Sequence, residues 1–175
     1  MGIELTSKAK KVKTPSDRIA IVYQIRATED FDVTIFDGTE YKVEHIRKGD
    51  LGGYVEKNVM LGRDAWLFKN AIIFGNSRFN GVACGFTRID SSTINRGAII
   101  AGRAIIISSF IGNSTTIAGT TSIKNSRILS GSLIVGTVIR FSKIHSGTTI
   151  KCAGVIAKEE VSGVRTLIPR HSKNT

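Results

Sequence analysis

From Leu61 to Ile156 a large apolar residue recurs every five or six positions, interrupted once. Leu61, Leu67, Ile73 and Phe79 form a first run, and a second begins at Ile94, Ile100 and Ile106 and ends at Ile150 and Ile156. Two residues before nearly every anchor stands a small side chain, as at Ala71, Ser92, Ala104, Ser126 and Thr148. About two residues after many anchors stands a turn-former, as at Gly75, Gly102, Asn125 and Gly136. The unit is small–x–large–x–turn. Self-similarity of this kind outranks any local propensity in reading a fold.

Alternation places the small and large residues on one side of a short strand and the intervening ones on the other. A strand this short, ended by Gly or Asn, makes no extended hairpin sheet, and a period of five to six fits no helix. It fits an all-β solenoid: a three-faced, left-handed parallel β-helix whose coils stack in parallel. Three anchors make one coil, so Ile100 to Ile117 and Ile106 to Ile123 span 17 residues, and Ile128 to Ile144 spans 16. Coils of 16–18 residues are expected throughout. Val82–Ser91 departs from the spacing and reads as a loop or bulged coil. Four segments result: a basic arm over 1–18, a β-hairpin cap over 19–57, the solenoid over 58–157, and a cap or tail over 158–175. In the cap, the alternating strings IAIVYQIRA and EYKVEHI are joined through an Asp37–Gly38 turn signal.

Charge narrows the function. The chain of 175 residues carries a formal net charge of +11, but unevenly. Residues 65–157 hold ten Lys/Arg and one acid, Asp90. A surface so depleted of Asp and Glu carries a positive potential over much of its area. Two cysteines, Cys84 and Cys152, are too few for a disulfide framework or a zinc site and fit a reducing cytosol. The longest apolar run, around Ala104–Ile107, falls far short of a membrane span. The expected setting is the cytoplasm, with no membrane contact, metal or cofactor.

The string Tyr23-Gln24-Ile25-Arg26-Ala27-Thr28-Glu29-Asp30-Phe31 is followed by Lys48-Gly49-Asp50-Leu51-Gly52-Gly53-Tyr54-Val55-Glu56, and then by Asn70-Ala71-Ile72-Ile73-Phe74-Gly75. These resemble the N-terminal motifs and first repeats of phage and prophage β-solenoid proteins of the hexapeptide-repeat or polymer-forming type. The resemblance covers residues 19 to about 81. It implies the fold and a phage or prophage setting, in the cytoplasm of a bacterial host or in association with a virion, and carries no settled activity. Residues 32–45 stand as an insertion between the two N-terminal motifs, and the later repeats shorten to five.

Two functional classes follow. The first is a non-enzymatic scaffold that binds through its surface. Lys124 and Arg140 follow anchors of one face, and Arg127 and Lys143 precede anchors of the next. Stacked one coil apart, with Arg88 below them, they converge on one corner. Cations about 4.8 Å apart repel unless an anion lies along them, and a nucleic-acid backbone or an acidic host or virion protein would serve. Ile99, Leu133 and Val135 point outward on another face, with Ile105, Ile107 and Phe110 nearby, and mark an interface of a homo-oligomer, a dimer or trimer. The alternative is a hexapeptide-repeat acyltransferase using an acyl-CoA donor, which needs a His as general base. Of His45, His145 and His171 only His145 sits on the solenoid, with no carboxylate near it in sequence to orient it. Lys48–Gly53 is glycine-rich but lacks the Lys-Ser/Thr of a phosphate loop and reads as a tight turn into the first coil. Met1–Thr6 matches an N-myristoylation pattern, an accidental match in a bacterial or phage protein.

Overall fold

Each repeat becomes one short parallel strand, and three of them close a coil. In the computed structural model, which describes residues 2–166, the chain is an all-β solenoid of about six turns. Pairing partners lie 15 to 18 residues apart, for example Arg78 with Thr93 and Met60 with Arg78. Ile100 pairs with Ile117, Ile106 with Ile123 and Ile128 with Ile144, as the anchor spacing requires.

The anchors form three interior columns. Face one stacks Val55, Ile73, Ile89, Ile106, Ile123, Ile139 and Ile156. Face two runs from Leu61 through Phe79, Ile94, Ile111, Ile128 and Ile144 to Val161. Face three runs from Leu67 through Ala83, Ile100, Ile117 and Ile134 to Ile150. From Leu67 to Val161 every anchor is at most 1% exposed. Each such isoleucine contributes about 1.5–3 kcal/mol by leaving water.

Val82–Ser91 is neither a loop nor a bulge. It is a regular coil in which Ala83 and Ile89 hold the anchor positions and pair on both sides. An alanine at an anchor hides the period. The solenoid also runs past residue 157, through Glu160–Val161 and Val164–Thr166. Its last anchor position on face three among the described residues is the charged Arg165, opposite the anchor Ile150. Pro169 and His171 lie outside the described residues.

The head is more elaborate than a hairpin cap. Its strands are β1 (Ile3–Lys13), β2 (Ile19–Ala27), β3 (Phe31–Phe36), β4 (Tyr41–Ile46) and β5 (Leu51–Glu56). The expected basic arm is therefore a strand. β1 pairs antiparallel with β2, β2 antiparallel with β5, and β5 parallel with Ile72–Phe74, so face one continues into the cap. β1 is left as the edge, and its four lysines protect that edge from further pairing. The β1–β2 ribbon also folds over the outside of face one, where Val12, Ala20 and Val22 pack on Tyr54, Ile72 and Phe74. Lys48–Gly49 is a turn, as expected, and β5 then passes tightly against the first coil: a Cβ on Gly52 would sit 2.5 Å from the Leu67 carbonyl.

The Asp37–Gly38 turn joins β3 to β4, not β2 to β4. Residues 32–45 thereby acquire a role, as a flap lying along the outside of face three. Phe36 packs on Ile99, Ala101 and Ala118, and the Phe31 ring meets Trp66 edge-on at 5.4 Å. The Tyr41 hydroxyl is 2.9 Å from Thr116 Oγ1.

Candidate anion-binding groove

The corner between faces one and two is built by one repeated device. Ser91, Ser108, Asn125, Phe141 and Lys158 occupy it in successive coils, all at φ between 46° and 58°. This left-handed kink turns the chain by the required angle and throws those side chains outward. One residue later comes a column of serines, Ser77, Ser92, Ser109, Ser126 and Ser142. The N–H of Ser92, Ser109, Ser126 and Ser142 donates at 3.1 Å to the serine hydroxyl of the coil below. The hydroxyls of Ser92, Ser109, Ser126 and Ser142 donate in turn to carbonyls two residues back, at 2.7–2.8 Å. No polar group of this buried ladder is left for a ligand, so the corner is a rigid rail.

Cations flank the rail. Lys124 pairs in register with Arg140 on one side, and Arg127 with Lys143 on the other. Lys124, Arg127 and Arg140 form no ion pair among the described residues. Arg127 lies over the Phe110 ring, 5.5 Å from its centre. Arg127 and Lys143, with Phe110 and the serines Ser109, Ser126 and Ser142, line an open groove of about 900 Å³ that also contains Phe141, Lys158, Glu159 and Glu160, while Lys124 and Arg140 stand outside its lining. Phe141 is 58% exposed. A bulky residue held at positive φ and left in water is strained and poorly buried, which makes it a candidate contact for a ligand.

Lys158 and Glu160 fall outside the expected solenoid, although the coil count that aligned Lys124 with Arg140 reaches them once continued. Glu160 takes Lys143 at 3.4 Å and His145 Nε2 at 3.0 Å. Those hydrogen bonds, His145's first, hold the Glu160 carboxyl below its ordinary range. His145 therefore has a carboxylate beside it after all, one coil away rather than near in sequence. His45 meets Asp32 at 2.7 Å across the flap strands.

Two other groups of candidates are not brought together. Arg88 stands in the outward column of Ile72 and Ile105, whereas Lys124 continues the column of Asp90 and Ile107. It lies at the opposite edge of face one from the cationic corner. The apolar candidates divide among three faces: Ile99, Leu133 and Val135 on face three, Ile105 and Ile107 on face one, Phe110 on face two. The flap buries Ile99. Leu133 and Val135 lie beyond its tip, in a cleft of about 990 Å³ shared with Phe36, Tyr41 and Val155. Burial pushes the Cys84 thiol up from its usual value, which disfavours a reactive thiolate. Among the described residues no group of acids, histidines and cysteines is placed to hold a metal, and no helix is long and apolar enough to cross a membrane.

No family model matches the chain, and no curated protein matches it. A solved structure does: a hexapeptide transferase family protein from Anaplasma phagocytophilum, at 16% identity and a TM-score of 0.57, covering 66% of this chain and 79% of that one. A likeness at that identity carries the fold, and the chain shares with that protein the stacked parallel coils of a β-helix.

Proposed function

We propose that this protein is a non-enzymatic binding scaffold, of phage or prophage setting, whose rigid corner holds a nucleic acid by its phosphates. One observation carries this: Lys124 stacks on Arg140 and Arg127 on Lys143 in two rows beside a self-satisfied rail, and Lys124, Arg127 and Arg140 form no ion pair among the described residues. Phosphate contacts of this kind bind without reading sequence and weaken steeply with salt. Three such contacts give log affinity against log salt a slope of roughly −2 to −3. Arg127→Glu/Arg140→Glu should flatten that slope and weaken retention of DNA and RNA. Lys11→Glu/Lys48→Glu, which carries the same charge change away from the groove, serves as the control. Equal losses in both double variants would reduce the groove to diffuse charge. Absence of retention at about 100 mM salt would remove nucleic acid as the ligand. Self-association belongs to the same proposal and uses the apolar cleft in which Leu133 of face three and Val155 of face one meet. Light scattering on wild type and Leu133→Lys/Val155→Lys tests it, and a wild-type monomer at tens of micromolar would overturn it.

The acyl-transfer alternative is favoured by the His145–Glu160 pair, a general base with an orienting carboxylate. Acetyl-CoA turnover that is lost in His145→Asn would establish it in place of the scaffold reading.

A further inference from the structure

Phe141 does not match its own column. At the same left-handed turn the other coils carry Ser91, Ser108, Asn125 and Lys158, and only Phe141 is aromatic. Asparagine tolerates that backbone region, whereas a bulky residue there is an outlier. At 58% exposure its ring gains too little from burial to offset the strain. The Phe141 N–H donates to the Lys124 carbonyl at 3.1 Å, which fixes the residue on the rail.

The groove beside Phe141 holds a second flat surface. Phe110 stands two rungs below, on the neighbouring outward column, paired in register with Arg127. The Arg127 guanidinium lies 5.5 Å from the centre of the Phe110 ring. Phe110, Arg127 and Phe141 line this one groove together with Lys143 and Lys158. From Ser91 to Lys158 the lining climbs through successive rungs, about 19 Å at the roughly 4.8 Å spacing of parallel strands. The acids at its upper end are already engaged: Glu159 takes Arg165 at 2.8 Å, and Glu160 takes His145 and Lys143. Lys158, like Arg127, forms no ion pair among the described residues.

Resting on the phosphate-binding reading of this corner, we infer that the groove takes single-stranded nucleic acid. One base stacks on Phe141 and another on the Phe110–Arg127 pair, with phosphates on Lys143 and Lys158. A duplex leaves the rings unused, because its bases lie about 3.4 Å apart along each strand, covered by their neighbours, and present mainly sugar and phosphate. In a single strand the base faces are bare, and rings two rungs apart, roughly 10 Å, can each take one. Stacking on an aromatic strengthens binding by roughly fivefold to a hundredfold per base and is indifferent to sequence.

Fluorescence anisotropy tests this with a labelled oligo(dT) of about twelve nucleotides and a duplex of the same length, at matched salt. The single strand should bind at least tenfold more tightly. Phe141→Leu keeps an apolar side chain but removes the aromatic face. It should weaken the single strand about fivefold or more and leave the duplex unchanged. Its salt slope should equal that of wild type, since the ring releases no counterion, whereas Arg127→Glu/Arg140→Glu flattens the slope. Phe141→Gly should melt at or above wild type, because glycine suits the left-handed backbone and little packing is lost. A duplex bound as tightly as the single strand, Phe141→Leu that binds the single strand like wild type, or Phe141→Gly that melts several degrees lower would each overturn the inference. Single strand and duplex retained alike would sink stacking and leave the phosphate reading standing. Retention of neither at about 100 mM salt would remove both.

Discussion

The serine ladder shows what a single residue does here. Ser109 accepts the Ser126 N–H and donates to the Ile107 carbonyl, all of it buried or nearly so. Ser109→Ala keeps the volume of the corner but strands the Ser126 N–H, so a loss of about 1–3 kcal/mol is expected in urea unfolding. A loss of a few tenths would mean that the ladder is ornamental. Glycines complete the corner between faces three and one. Gly102 sits at φ +78°, and a Cβ there would lie 2.7 Å from the Gly119 carbonyl. Gly102→Ala should therefore destabilise by more than the roughly 1 kcal/mol of an unfavourable backbone conformation alone. At this scale the sequence was highly legible, because an anchor such as Ile117 or Ile134 has one possible environment. It failed at Ala83, where the interior accepts a small residue and the period falls silent. The serines were legible as small but not as hydrogen-bonded, since nothing in one chain's spelling shows the coil beneath.

At the scale of elements, the strings FDVTIF and YKVEHI alternate as strands must, yet their partner and resting place were hidden. β2 was the expected partner of β4, and it lies in another sheet. Hairpin register follows from the turn, but the face on which a hairpin settles follows from what that face leaves apolar. Ile99, Ala101 and Ala118 supply the apolar ground, and the chain covers it with its own Phe36. Phe36→Lys should lift the flap, expose those residues and raise the apparent mass in light scattering. An unchanged mass with unaltered flap protection would deny the flap its covering role. The flap tip is tied by Asp37, whose carboxylate takes Lys42 Nζ at 2.6 Å and the N–H groups of Thr39 and Glu40. The Lys42 hydrogen bond first, then those of the turn, hold its pKa far below the usual carboxylate value. A depressed pKa contributes order that is complete above the unfolded value and is lost as pH falls through the folded one. Thr39 and Glu40 amides should thus keep their exchange protection at pH 4 and lose it only in stronger acid. Asp37→Asn should lose much of it already at neutral pH.

At the scale of the whole molecule, a stack of coils is close to one-dimensional: each rung touches only its neighbours, so stability sums local terms and rung-to-rung interfaces. The two ends differ. Below, β1, β2, β5 and the flap hold the first rungs, and the core cluster runs continuously from Ile25 into the columns. Above, among the described residues, the last positions of the columns are Val161 on face two and the charged Arg165, opposite Ile150, on face three. Opening should therefore begin at the last rungs and travel toward the cap. Native-state hydrogen exchange gives the test, with the amides of Ile73, Ile89 and Ile106 expected to be the slowest and those of Ile144 and Ile156 the fastest of the anchors. Ile156→Asp buries an unpaired charge in the second-to-last rung, where release of the end costs little, so protection should fall above Ile139 and persist below Ile117. Ile117→Asp puts the same charge between two stacked neighbours, and relief requires separating the upper rungs from the capped base. That variant should lose cooperative melting or fail to fold, at a cost of several kcal/mol. If Ile156→Asp lowered protection uniformly along all three columns, the rungs would be acting as one cooperative unit and the end-to-end gradient would not exist.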